Sequence, residues 1–125
     1  MADLFHSSKA IYEQIAELIK KRIIREELIS GDKLPSVREM AMEVNVNPNT
    51  VQRTYRELEY MKIVESKRGQ GTFVTEDKDV LASIREEMKA EIMMNFTQQM
   101  YEMGYTKAEI KRGVTEFLDE KESKE

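Results

Sequence analysis

Residues 66–74 read SKRGQGTFV: two cations, Lys67 and Arg68, stand directly before Gly69 and Gly71, with Gln70 between the glycines, and the run then turns apolar. Such a stretch can do one of two things. It can cradle a phosphate with backbone N–H groups, which requires a third glycine and a helix starting at once. Or it can make a tight turn that carries charge outward, with glycine supplying the unusual backbone angles. Here β-prone residues follow the glycines, so the second reading holds: a hairpin tip bearing Lys67 and Arg68. A second set of hydrogen-bonding side chains precedes it. Arg38 stands in LPSVRE, and Asn49, Arg53 and Arg56 fall at i, i+4 and i+7 in NVNPNTVQRTYRELEYM. Spacing of that kind places three polar side chains along one helical face.

Three helices must hold these groups. In AIYEQIAELIKKRIIREEL, Ile11, Ile15, Ile19 and Ile23, with Tyr12 and Leu18 beside them, predict a helix with one buried face, broken by Gly31 and Asp32. Ser36 and Glu39 have the spacing of a capping box at the start of a second, short helix. Its apolar stripe is Val37, Met40, Ala41 and Val44, and Asn45 suits a left-handed C-terminal position. Asn47 can cap a third helix with Pro48 at its first position; Val51, Tyr55 and Leu58 form its inward face. About three residues separate the second and third helices. A connection that short makes them cross steeply and leaves the start of the later helix protruding, which is helix-turn-helix geometry. IVESK and GTFV then form the hairpin, or wing.

After Val74 the composition changes. The acidic stretch EDKD opens a linker over residues 76–79. Val80, Leu81, Ile84, Met88, Ile92, Phe96, Met100 and Met103 recur at spacings of three and four and predict one long helix ending at Gly104. Thr106 and Glu109 repeat the capping-box pattern before a last helix lined by Ile110, Val114, Phe117 and Leu118. Two helices of this length cannot bury a core alone. Leu81, Ile84, Met88, Ile92, Phe96, Met100, Ile110, Val114 and Phe117 are therefore expected to face a second copy of the chain, with adaptable methionines suiting such a contact. The expected organisation is residues 1–75 as a winged helix-turn-helix, 76–79 as linker, 80–120 as a two-helix dimerisation region and 121–125 as a frayed tail: mainly α with a small β-hairpin wing.

Composition excludes several classes. The 125 residues include no cysteine, which rules out disulfides and thiol chemistry. His6 has no ligand partners and reads as terminal surface; no cofactor and no metal are expected. No serine or lysine has a recognisable activating partner. No apolar run reaches membrane-spanning length, and the opening residues lack an export signal, so a soluble, cytoplasmic protein is expected. The net charge of −4 divides unevenly. Residues 1–75 hold 12 Lys/Arg against 11 Asp/Glu, a net of +1, whereas residues 76–125 hold 8 against 13, a net of −5. Residues 33–72 hold 7 against 5, a net of +2. A basic face on the first segment is thus permitted, though not demanded.

Together LPSVRE, VNPNTVQR and RGQGTFV, in this order and spacing over residues 10–75, resemble the winged helix-turn-helix of GntR-type bacterial transcription regulators. The remaining stretch resembles the short two-helix C-terminal region of the YtrA-type branch. Glu26 and Ser30 depart from the pattern, standing where glycine and proline are usual. The resemblance implies a homodimeric repressor of a transporter-type operon that reads a palindromic double-stranded operator. It further implies that Arg38, then Asn47, Asn49, Thr50, Gln52 and Arg53 of the third helix, and Lys67, Arg68, Gly69, Gln70 and Gly71 of the wing meet DNA. Tyr101 and Tyr105 offer a place for a small-molecule effector. Each cation has a plainer reading as a solvated side chain, Arg38 pairing with Glu39 or Glu43 and Arg53 or Arg56 with Glu57 or Glu59. Asn47 can be a cap and nothing more. A winged helix that docks proteins without reading DNA is the alternative function. An enzyme fits least, because longer relatives carry an aminotransferase-like domain for which this length has no room.

Overall fold

A computed structural model describes residues 9–124 of the chain; His6 lies outside them. Its elements are α1 (Ile11–Ile24), α2 (Val37–Val44), α3 (Pro48–Tyr60), β1 (Val64–Lys67), β2 (Gly71–Val74), α4 (Lys78–Glu102) and α5 (Lys107–Lys124). They form two compact units, Met1–Arg85 and Glu86–Glu125.

In the first unit α3 is the centre, packing on α1, α2 and β1. Ile15, Ile19, Met40, Val51 and Leu58 have no exposed surface; covering one such side chain contributes about 1.5–3 kcal/mol. Ile11, at the first turn of α1, stays 40% exposed, so the buried stripe starts one turn later than its spacing suggests. Thr54, fully buried on α3, joins the core because its hydroxyl proton finds a carbonyl acceptor. Its Oγ1 donates to the carbonyl of Tyr12 at 2.9 Å and lies 3.1 Å from that of Thr50. The Tyr55 phenol donates to the carbonyl of Pro35 at 2.7 Å, and burial pushes its pKa up, keeping it a donor.

Local signals produce the predicted helix ends. Glu39 N–H donates to Ser36 Oγ at 3.1 Å and Ser36 N–H to Glu39 Oε1 at 2.8 Å, closing the capping box. Asn45 takes φ 57° and ends α2. Asn47 Oδ1 accepts from Asn49 N–H at 2.7 Å, with Pro48 following as the first residue of α3. α1 ends earlier than Gly31. Arg25 caps it and Glu26 takes φ 63°, so the acidic residue adopts the left-handed geometry for which glycine is usual. Ser36→Ala is expected to lower stability by about 1 kcal/mol, seen as a lower urea midpoint at unchanged slope.

β1 and β2 pair antiparallel with Val64 opposite Val74 and Lys67 opposite Gly71. Residues 31–34 line the other side of β2: Leu34 N–H donates to Thr72 O and Val74 N–H to Asp32 O, both at 2.8 Å. This pairing ties the chain just ahead of α2 to the wing.

The expected linker over 76–79 is shorter than its composition suggests. Asp77 Oδ1 accepts from Asp79 N–H at 2.9 Å and caps α4, which begins at Lys78. The first two turns of α4 accordingly belong to the first unit. Ile84, expected to face a partner, is buried there instead.

In the second unit α4 ends ahead of Gly104, whose φ is 90°. The Thr106–Glu109 capping box closes at 2.8 and 3.2 Å and starts α5. Ile110, also expected at a partner contact, is already buried within the single chain. Ile92 and Phe117 are 58% and 65% exposed, as are Met93, Met94, Met103 and Leu118 by similar amounts. Leu81, Met88 and Met100 are half-buried, and Phe96 and Val114 lie at the edge of exposure. α5 continues through residues 121–124, where the composition suggests fraying. No helix among the described residues is long and apolar enough to cross a membrane.

Candidate nucleic-acid interface

Arg38 stands at the second residue of α2, exposed, with the capping box immediately beside it. Both acids that could neutralise it are engaged elsewhere. Glu39 turns back to the Ser36 backbone N–H, which with the Ser36 hydroxyl holds its pKa below the ordinary 4.5. The box therefore weakens on acidification below that value and is intact at neutral pH. Glu43 pairs with Arg22 of α1. Among the described residues no carboxylate pairs with Arg38, and the residue is exposed.

At the start of α3, Asn47, Asn49, Gln52 and Arg53 are exposed and Thr50 is half-exposed. Asn47 serves as the cap, so its side-chain oxygen is occupied while its amide N–H₂ is unassigned. Arg53 does not turn to Glu57: its Cζ sits 3.9 Å from the centroid of the Tyr12 ring. Arg56 is exposed one turn further along.

The wing presents Lys67, Arg68, Gly69, Gln70 and Gly71, all exposed. Gln70 N–H donates to Lys67 O at 2.8 Å across the turn. Lys67 Nζ lies 4.7 Å from the Phe73 ring centroid. Gly71 takes φ 123°, and a Cβ added there would sit 2.7 Å from Lys33 Cε. Lys33 thus runs over Gly71, opposite Lys67, and brings a third cation to the hairpin. The sequence alone did not single it out, because the pairing of residues 31–34 with β2 spans about forty residues; the one local signal is its place directly before LPSVRE.

Among the described residues no group of three or more His, Cys, Asp or Glu side chains is placed to hold a metal ion. The site offers cations and amide donors on two secondary-structure ends and one turn. That set suits phosphates and base edges, since guanidinium and carboxamide groups bind through paired hydrogen bonds.

Residues 11–74 match the family described as "Bacterial regulatory proteins, gntR family". Over 119 residues the chain is 49% identical to the Bacillus subtilis protein named uncharacterized HTH-type transcriptional regulator YhcF, covering 95% of this chain and 98% of that protein. It is 48% identical over 71 residues to the B. subtilis HTH-type transcriptional repressor YtrA, which covers 57% of this chain and 55% of that protein. A solved GntR family transcriptional regulator from Listeria monocytogenes superimposes with a TM-score of 0.82 at 38% identity, over 90% of this chain and 98% of that one.

Proposed function

Since the chain belongs to the gntR family of bacterial regulatory proteins and is a transcription regulator, not an enzyme, we propose that it is a homodimeric, sequence-specific DNA-binding repressor. It acts in the cytoplasm on a transporter-type operon. The start of α3 enters the major groove, where Asn49, Gln52 and Arg53 face base edges, Thr50 reaches phosphate and Asn47 orients the first turn. Arg38 contacts the same duplex from α2. Lys67, Arg68 and Lys33 bring the wing to the backbone, with Gly69 and Gly71 shaping the turn. Two protomers joined through α4 and α5 read half-sites of a palindrome about one helical turn, ~34 Å, apart. The nearly half-exposed Tyr101 and Tyr105, at the turn between those helices, are the place for a small-molecule effector. The repressor role is supported by the relative of that name.

The observation that carries the reading is the exposed start of α2, where Arg38 has no carboxylate partner among the described residues while Glu39 and Glu43 are engaged elsewhere. Binding to random and selected duplexes across a salt series tests the reading. A repressor gives a steep fall of log K with log salt on both, with tighter binding to the selected palindrome. A flat response would favour a protein-docking winged helix.

Within that experiment Lys33→Ala, Lys67→Ala and Arg68→Ala each have a defined expectation. Each should weaken binding evenly across sequences and reduce the magnitude of the salt slope by about 1 per charge removed. A variant that instead altered the preferred sequence would assign its side chain to base reading.

A further inference from the structure

We propose that Tyr12 is a positioning residue for Arg53: its ring is the platform that fixes the guanidinium on the exposed face of α3 and so determines how strongly that arginine engages nucleic acid. The inference rests on the DNA-reading role proposed above. Tyr12 lies in the first turn of α1, far from α3 in sequence, yet Arg53 Cζ stands 3.9 Å from its ring centroid. The platform is anchored by the neighbour of Arg53. Thr54 Oγ1, fully buried, donates to the Tyr12 carbonyl at 2.9 Å. One turn further along α1, Ile15 and Ala16 are buried in the core. The backbone of Tyr12 is thereby tied to α3, and its half-buried ring lies against the Arg53 guanidinium.

Stacking explains why Arg53 ignores Glu57 one turn away, and it has a consequence for binding. An arginine free in solvent loses much rotamer freedom when it grips a phosphate or base. One already held against a ring keeps N–H edges available for bidentate hydrogen bonds. The ordering cost is thus met in folding, before DNA arrives.

The test is a double-mutant cycle on a duplex that the wild-type protein selects from a random-sequence pool. Tyr12→Ala is expected to weaken binding about two- to fivefold and Arg53→Ala about tenfold. The double variant should bind no more weakly than Arg53→Ala alone. Tyr12→Phe, which keeps the ring, should stay within about twofold of wild type. Should Tyr12→Ala fail to fold, Tyr12→Leu keeps apolar bulk against α3 while removing the π face and carries the same expectation. Equal losses from the Tyr12 change in the wild-type and Arg53→Ala backgrounds would overturn the platform, as would tighter binding or unchanged affinity on removing the ring. A Tyr12→Phe loss as large as that of Tyr12→Ala would also overturn it, because the hydroxyl would then be acting itself. These results are distinct from a wild-type protein that enriches no duplex at all, which would overturn the DNA-reading role.

Discussion

Cutting the chain after Arg85 is expected to give a folded monomer whose affinity for a palindromic operator falls by about 100- to 10,000-fold. The magnitude follows from linkage: two reading heads held together convert the second half-site contact into an intramolecular step, and separating them removes that gain without touching a single DNA contact. The cut is placed where the first unit ends, so that Asp77 still caps α4 and Ile84 still covers the core. It removes the exposed Ile92, Met93, Met94, Phe117 and Leu118, whose apolar surface has no cover in a single chain. Exposed apolar side chains, where they gather into a contiguous patch, mark association surfaces. Light scattering on the truncated and full chains reads the oligomeric state, and operator titration reads the affinity. A truncated chain that remained dimeric would place the interface in the first unit and refute the assignment of α4 and α5.

What could be read from the sequence was what the chain encodes locally. Ser36 with Glu39, Thr106 with Glu109, Asn47 before Pro48, and Gly69 with Gly71 each act within three or four residues, and all four form the ends and turn that their chemistry dictates. The long apolar periodicity of α4 likewise gives a helix, though not its environment. Ile84 and Ile92 share the apolar periodicity of α4, and Ile110 and Phe117 that of α5, yet the first of each pair is buried and the second exposed. Periodicity identifies a face but cannot say what covers it.

The charges at the site follow the same division. Arg53 has Glu57 at the spacing of a helical ion pair, and that short-range option is worth only about 0.2–0.5 kcal/mol. A ring brought from α1 by tertiary packing displaces it. Glu43 is drawn to Arg22, twenty-one residues away, and Lys33 crosses to Gly71. Each of these pairings depends on which elements pack together, and no spacing rule along the chain contains that information. The candidate residues themselves were legible; their availability was not.

Arg38→Ala tests that availability where it is greatest. Operator affinity is expected to fall by about 1–3 kcal/mol, roughly 5- to 150-fold, with stability almost unchanged. The two halves of the expectation have separate causes. Arg38 is exposed and, among the described residues, has no ion pair to lose, so truncating it leaves no buried group unsatisfied and no cavity. In the proposed complex the backbone that carries Arg38 is fixed by the capped start of α2, which Tyr55 ties to the chain ahead of it through the Pro35 carbonyl. A guanidinium so placed can form paired, charge-assisted hydrogen bonds, the strong class of such contacts. Arg38→Lys separates the two modes of contact: a lysine retains the charge and the salt slope but not the planar fork. Recovery of affinity by lysine would assign Arg38 to phosphate, whereas continued loss with relaxed preference at one base pair would assign it to a base edge. If Arg38→Ala bound its operator as tightly as wild type while melting at the same temperature, the free arginine would be an ordinary solvated side chain, and the start of α2 would have no part in the interface.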